Sequence, residues 1–382
     1  MSWAIWITGP PASGKSAIAR GVETELRAHG QPVKRLELDE VRKSITPVPR
    51  YSDAERDVVY RALGYMAALL VEVGQPVLID ATAHRRIWRD LVREAIPRFA
   101  EVQLVCPLEI CRERERSRAP GHAPRDIYRK GGLPGATVPG VDIPYEVALA
   151  PELLIDTSVH SLGEAVEQVV RLAGRLALEA ADAPAAPEGS GEPGWAIWIT
   201  GRPGSGKSTL ALRVSEALRE RGTRVRLLEL APVQQFLLGG QPASLAEQDL
   251  VHRVLAYAAK LLTEAGVSVI VDATAGRRAW REAARDLIPC FAEIQLLCPT
   301  EVCLERERAA RWGLTFETSR PQAATPGPDI VLDYEESTRP DLVIRTDVND
   351  VQAAARRVLV VIERLAGSPS GLAARSAGEP PP

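Results

Sequence analysis

Gly9-Pro10-Pro11-Ala12-Ser13-Gly14-Lys15-Ser16 follows the apolar run Trp3 to Ile7 and precedes a helical pattern beginning near Ala17. These eight residues fit GxxxxGK[ST], the pattern of a phosphate-binding loop. Gly9 and Gly14 let the backbone turn its N–H groups, Ser13 included, inward around phosphate oxygens, and the next helix points its positive end at the same place. Lys15 is placed to reach the β- and γ-phosphates of ATP, and Ser16 to offer its hydroxyl to Mg²⁺. The competing reading is a chance glycine-rich turn. Repetition argues against it: Gly201-Arg202-Pro203-Gly204-Ser205-Gly206-Lys207-Ser208 follows a second apolar run, Trp195 to Ile199.

Lys207 lies 192 residues after Lys15, and the same offset relates Trp3 to Trp195, Glu37 to Glu229, Asp80 to Asp272, Trp88 to Trp280, Cys106 to Cys298 and Cys111 to Cys303. So long a period means a duplicated domain rather than a solenoid. The expected layout is a first domain over 1–178, a flexible linker rich in Ala, Pro, Glu and Gly over 179–194, a second domain over 195–366, and a disordered tail over 367–382.

The 382 residues carry a net charge of −3, with 47 basic against 50 acidic side chains, so nothing pulls the chain globally toward nucleic acid. No apolar run approaches the ~20 residues of a membrane span. The chain enters its first strand directly after Met1-Ser2, so the expected location is the cytoplasm. The five cysteines lack CxxC spacing and read as free thiols.

Within the first copy, strands at Trp3 to Ile7, Val33 to Leu38, Val77 to Ile79, Ala100 to Cys106 and Leu153 to Ile155 alternate with helices. The helices are Ser16 to Ala28, Ala54 to Glu72, Ile87 to Glu94, Leu108 to Arg116 and Leu162 to Leu178. This βα alternation predicts a mainly parallel sheet with helices on both faces, its ligands outside the carboxyl ends of the strands.

Polar residues just after strands are therefore the candidates for chemistry. Asp39 could orient or deprotonate a hydroxyl, and Arg42 could fork onto an anion; a helix cap with a solvated arginine is the alternative. Asp80 closes Val77-Leu78-Ile79 and recurs as Asp272 in the same Asp-Ala-Thr-Ala context, the placement of a magnesium-binding carboxylate. Tyr51 could stack on a planar ring beside Arg56, although Arg56 also fits an ordinary surface helix. Arg112, Arg114, Arg116, Arg118, Arg125, Arg129 and Lys130 flank a Gly/Pro-rich segment suited to a basic lid, with Arg114 the best nucleotide contact.

With these residues in view, the first copy resembles the adenylyl-sulfate (APS) kinase family from Trp3 to about Thr157. Val141-Asp142-Ile143-Pro144-Tyr145-Glu146, Pro151-Glu152-Leu153 and Asp156-Thr157 are similar to that family's GIDxPYE…PEL…DT signature. Leu36 to Arg42 resembles its DGDNxR element, Tyr51 to Arg56 its FSxxDR segment, and Ile127 to Lys130 its LYKKA stretch. The resemblance implies two tandem P-loop kinase domains and transfer of the ATP γ-phosphate to the 3′-hydroxyl of adenylyl sulfate. It assigns Asp39 a catalytic part beside Lys15 of the loop, and Arg42, Tyr51, Arg56 and Lys130 to the acceptor, while Asp80 stays a catalytic candidate by its place after the strand. Val59 replaces the family's asparagine, and Asp80 to Arg86 replaces its SxISPYR, a phrase closer to sugar and polynucleotide 5′-hydroxyl kinases. Another hydroxyl acceptor, or a purely regulatory nucleotide-binding module, thus stays open.

In the second copy Ala231, Gln234, Ala243 and Gln248 stand where Asp39, Arg42, Tyr51 and Arg56 stand in the first. Its lid is shorter too: 31 positions separate Cys303 from Tyr334, against 34 from Cys111 to Tyr145, and Leu332-Asp333 replaces Ile143-Pro144. The donor and metal residues Gly201, Ser205, Gly206, Lys207, Ser208 and Asp272 persist, which points to nucleotide binding with little catalysis, and to a partner in domain pairing or a homodimer.

Overall fold

The computed structural model describes residues 2–117, 127–133, 136–178, 193–241, 243–311 and 334–367. The linker expected before Pro193, the tail beyond Gly367, Arg118 and Arg125 of the basic run, and Leu332-Asp333 lie outside these residues.

Contacts divide the chain into two compact units, Met1–Glu188 and Gly189–Pro382. The first runs β1 (Ala4–Thr8), α1 (Lys15–Ala28), β2 (Lys34–Glu37), α2 (Leu38–Ile45), α3 (Asp53–Glu72), β3 (Val77–Asp80), α4 (Arg86–Ala95), β4 (Phe99–Val105), α5 (Leu108–Ser117), α6 (Ile127–Lys130), β5 (Leu153–Asp156) and α7 (Leu162–Leu178). Its sheet has the order β2-β3-β1-β4-β5, every pairing parallel. β1 is central and buried along its whole length, which is why it reads as an unbroken apolar run. Its register sets Ile7 opposite Asp80 on one side and Val102 on the other, bringing the ends of three strands to one level beneath the Gly9 loop.

Helices α1 and α7 close one face of this sheet through Ile18, Val22, Val169 and Leu172. On α3, Leu63, Met66 and Leu70 are buried. The Ser52 hydroxyl caps α3 by accepting from Glu55 N at 3.2 Å, and Gly74, at φ +92°, follows its end. Helix α2 departs from expectation, because the chain turns helical at Leu38 without a loop. No side chain caps its start, and burial of Val41, Arg42 and Ile45 on one face holds it instead.

The second unit repeats the plan: β6 (Ala196–Gly201), α8 (Lys207–Glu220), β7 (Val225–Glu229), α9 (Leu230–Leu238), α10 (Leu245–Glu264), β8 (Ser268–Asp272), α11 (Arg278–Leu287), β9 (Phe291–Leu297), α12 (Thr300–Arg311), β10 (Leu342–Arg345) and α13 (Val351–Ala366). Its order, β7-β8-β6-β9-β10, is that of the first sheet, again all parallel. Both sheets are thus the parallel α/β layers that the alternation predicts. Among the described residues no helix is long and apolar enough to cross a membrane.

Each unit buries one arginine completely. Arg89 on α4 pairs with Glu101 of β4 at 2.6 Å, and its guanidinium donates to Ala83 O and, at 2.6 Å, to Glu146 O. Arg281 repeats the set with Glu293 at 2.7 Å and with Ala275 O and Glu335 O, each at 2.5 Å. Removing one partner leaves the other charge buried and unpaired. Arg89→Met should therefore cost about 3–5 kcal/mol in urea denaturation, while Arg89→Met combined with Glu101→Leu should recover most of it. A single variant as stable as the wild type would refute this.

Candidate active site

The Gly9 loop owes its shape to close quarters. A Cβ on Gly9 would lie 2.8 Å from Ser13 Oγ and 2.9 Å from Leu104 O, and Gly14, at φ +101°, caps α1 in the left-handed region. Ala12 also adopts a positive φ, +58°, and packs on a cluster of Cys111, Tyr128 and Val138. Two braces hold the loop from outside. The Tyr128 hydroxyl donates to Pro11 O at 2.7 Å, and that of Thr157 donates to Ser13 O at 2.9 Å.

Lys15 is buried across the loop, its Nζ donating to Gly9 O at 3.1 Å and Pro10 O at 2.8 Å. Beside it, Asp80 at the end of β3 accepts a hydrogen bond from the Ser16 hydroxyl. Burial raises the Asp80 carboxyl from 3.8 to about 6, against the opposing pull of Ser16 and the Lys15 charge. Asp80 Oδ2 is buried with no hydrogen-bond partner among the described residues, and the Arg35 guanidinium stands 3.9 Å from it. The Oγ of Ser13 is likewise buried and unpartnered.

The acceptor candidates gather around Glu55 and Tyr60. Glu55 organises them: its carboxylate accepts from Arg42 Nη1 at 3.1 Å and from the backbone N of Arg50 at 2.7 Å and of Tyr51 at 3.3 Å. Tyr51, at φ +55°, presents its ring 5.1 Å from the Arg42 guanidinium. Arg56 donates to Thr137 Oγ1 at 2.5 Å and Thr137 O at 3.2 Å, and its Nη1 is buried without a hydrogen bond. Asp39 sits in the first turn of α2. It joins Arg42 and Arg56 around the phenol of Tyr60, which burial pushes up and the two arginines pull down.

Two other candidates have different surroundings. Arg114 holds Thr157, donating to its hydroxyl at 2.9 Å and its carbonyl at 2.6 Å, so its guanidinium supports the loop through the Thr157 brace. Lys130 is exposed at the end of α6. The Val141 to Glu146 signature is a fastening. Asp142 accepts from Gly132 N at 2.7 Å and Val138 N at 2.8 Å, and the Tyr145 and Thr8 hydroxyls meet at 2.8 Å. Sequence reasoning missed Arg89, Tyr60, Glu55 and Tyr128. For Arg89 the signal was available, since Arg281 and Glu293 repeat Arg89 and Glu101 at the same offset.

The second loop keeps the donor geometry. Gly201 and Gly206 have φ of +152° and +89°, Lys207 Nζ donates to Arg202 O at 3.0 Å, and Ser205 Oγ is buried and unpartnered. Burial lowers the Lys207 pKa and raises that of Asp272, which Ser208 hydrogen-bonds. On the acceptor side, Gln248 folds back to donate to Ala243 O at 3.2 Å.

The family model for adenylylsulphate kinase matches residues 1–156 and again 193–345. The chain belongs to the adenylylsulphate kinase family. It is therefore an ATP-dependent phosphotransferase with tandem P-loop kinase domains. The adenylyl-sulfate kinase of Synechococcus sp. (strain JA-3-3Ab) is 34% identical over 169 residues, spanning 44% of this chain and 91% of that protein. That of Bacillus licheniformis is 36% identical over 172 residues, 44% of this chain and 82% of its own. The Mycobacterium tuberculosis APS kinase CysC, solved in complex with AMPPNP and APS, is 29% identical, with 45% of this chain and 96% of that one covered and a TM-score of 0.40.

The raised Asp80 carboxyl has a measurable sign. Its folded-state value lies above the unfolded one, so ionisation destabilises the unliganded fold as pH rises through about 6. Without nucleotide or divalent cation, Asp80→Asn should strengthen resistance to urea at pH 7.5 by up to about 3 kcal/mol, and not at pH 4. An equal gain at both pH values would contradict the assignment.

Proposed function

We propose that the first unit transfers the γ-phosphate of ATP to the 3′-hydroxyl of adenylyl sulfate. What supports this reading is the presence, in one unit, of a braced donor loop and of the Asp39, Arg42, Tyr51 and Arg56 group around Tyr60, together with the names of the relatives. The loop amides and Lys15 bind the donor phosphates. Arg42 and Arg56 take the anionic group of the acceptor, Tyr51 its planar ring, and Lys130 approaches from α6. The acceptor oxygen attacks the γ-phosphorus as the bond to the β–γ bridging oxygen breaks, and Asp39 orients the hydroxyl and receives its proton. Such transfer relies on positioning and charge stabilisation more than on covalent help.

A buried carboxylate oxygen without a partner, next to a hydroxyl, is a donor set suited to Mg²⁺, so Ser16 and Asp80 would hold it in the first unit and Ser208 and Asp272 in the second. When bound it would neutralise charge between the β- and γ-phosphates. The Asp80-Ala81-Thr82 phrase and Val59 favour a second reading, a kinase for another small hydroxyl acceptor. The second unit, with Ala231, Gln234, Ala243 and Gln248 at the acceptor positions, binds nucleotide without transferring phosphate.

Assays with labelled ATP over a panel of acceptors test the reading. Phosphate should pass to adenylyl sulfate; transfer only to a sugar or nucleoside would select the second reading. Lys15→Ala should lower turnover by about a thousandfold or more, Lys207→Ala by less than about threefold. Arg56→Ala should raise the KM for adenylyl sulfate at least about tenfold while that for ATP stays within twofold.

A further inference from the structure

The two units differ at one more place beside the acceptor residues. After β3 the chain turns through Ala83 at φ +38°, a left-handed conformation uncommon for alanine. Both its peptide groups are tied: Ala83 N donates to the Tyr60 hydroxyl at 3.1 Å, and Arg89 donates to Ala83 O. The next carbonyl, of His84, accepts from Glu146 N at 2.8 Å. Tyr60 in turn stacks on Trp88, with ring centroids 4.2 Å apart.

A turn fixed at three points fixes the side chain it carries. His84 is 5% exposed and meets Trp88 edge-on at 5.0 Å. Among the described residues no group hydrogen-bonds its imidazole. Its neighbour Arg56 has a buried Nη1 without a hydrogen bond, with the Asp53 carboxylate at 3.8 Å. A buried guanidinium nitrogen without a hydrogen bond, beside an imidazole that also makes none, is costly unless a ligand completes it. Burial, with the charges of Arg56 and Arg85, lowers His84 to about 4, so at neutral pH it adds an uncharged polar contact beside a charged one.

The second unit repeats the turn, with Ala275 at φ +43°, Arg281 donating to Ala275 O and Glu335 N donating to Gly276 O at 2.8 Å, but not the side chains set around it. Gly276 replaces His84, and Gln248, in place of Arg56, is turned back to its own backbone. His252 replaces Tyr60, stacked on Trp280 at 3.8 Å with Nδ1 at 2.7 Å from Gln248 O. The imidazole at position 84 is thus confined to the unit that carries Asp39, Arg42, Tyr51 and Arg56.

We propose that His84 is an acceptor-binding residue, hydrogen-bonding a neutral polar group of adenylyl sulfate next to the anionic group held by Arg56. The proposal rests on reading the first unit as an adenylyl-sulfate kinase. In the full-length chain, His84→Phe keeps a ring against Trp88 and removes the hydrogen bond, while His84→Gln restores a donor and an acceptor. Initial rates with each substrate varied should show His84→Phe raising the KM for adenylyl sulfate about tenfold, with the KM for ATP within twofold, an unchanged thermal midpoint, and partial recovery in His84→Gln. An acceptor KM within twofold of wild type, or a parallel rise in the KM for ATP, would overturn it. Failure of the wild-type chain to phosphorylate adenylyl sulfate would instead remove the reading on which the proposal stands.

Discussion

Arg89 is the contact on which the first unit depends. One fully buried guanidinium joins α4 to β4 through Glu101, to the Ala83 turn, and to the backbone of Glu146 at the end of the lid signature. These three segments are far apart in sequence, and each borders the crevice. A charge placed so deep is tolerable only when every donor has a partner. In the first unit the Glu101 charge and the two carbonyls surround the guanidinium, with Arg89 Nε and Glu101 Oε1 meeting as an ion pair without hydrogen-bond geometry. In the second unit Arg281 Nε also hydrogen-bonds Glu293.

Around this shared frame the two halves of the candidate site differ between the units. The donor half is set mostly by backbone: glycines with positive φ, a helix start and a buried lysine, all present twice. The acceptor half is set by side chains that hold one another, with Glu55 fixing Arg42 and the Tyr51 turn, and Thr137 fixing Arg56. Glu247 remains at the position of Glu55, but its carboxylate now closes a capping box with Ser244. A scaffold residue can thus outlast the function it served.

The loops, the duplication, the parallel sheet and the carboxylates after β3 and β8 were legible because each rests on a local pattern: a motif, a period, an apolar run. Helix α2 was not, since a short helix lacking a capping side chain has no signature beyond the buried face it acquires on packing. Arg85-Arg86-Ile87-Trp88-Arg89-Asp90 taken alone reads as a solvated helix, and only the repetition of Arg89 as Arg281 marks that residue. Arg114 illustrates the converse. Its position in a basic run suggests a nucleotide contact, whereas the fold gives its guanidinium to Thr157, a partner 43 residues away that no local pattern announces.

The fourth position of each loop bears on how the copies have evolved. Ala12 sits against the Cys111 and Tyr128 cluster, whereas a Cβ on its counterpart Gly204 would lie 2.3 Å from the Cys303 carbonyl. In the second unit the backbone of α12 at Cys303 stands where a methyl on position 204 would lie. Recombination that copied the first loop into the second would place a methyl against that backbone. The second loop is thus fitted to its own neighbouring helix, and an alanine at position 204 would force the Cys303 backbone to shift.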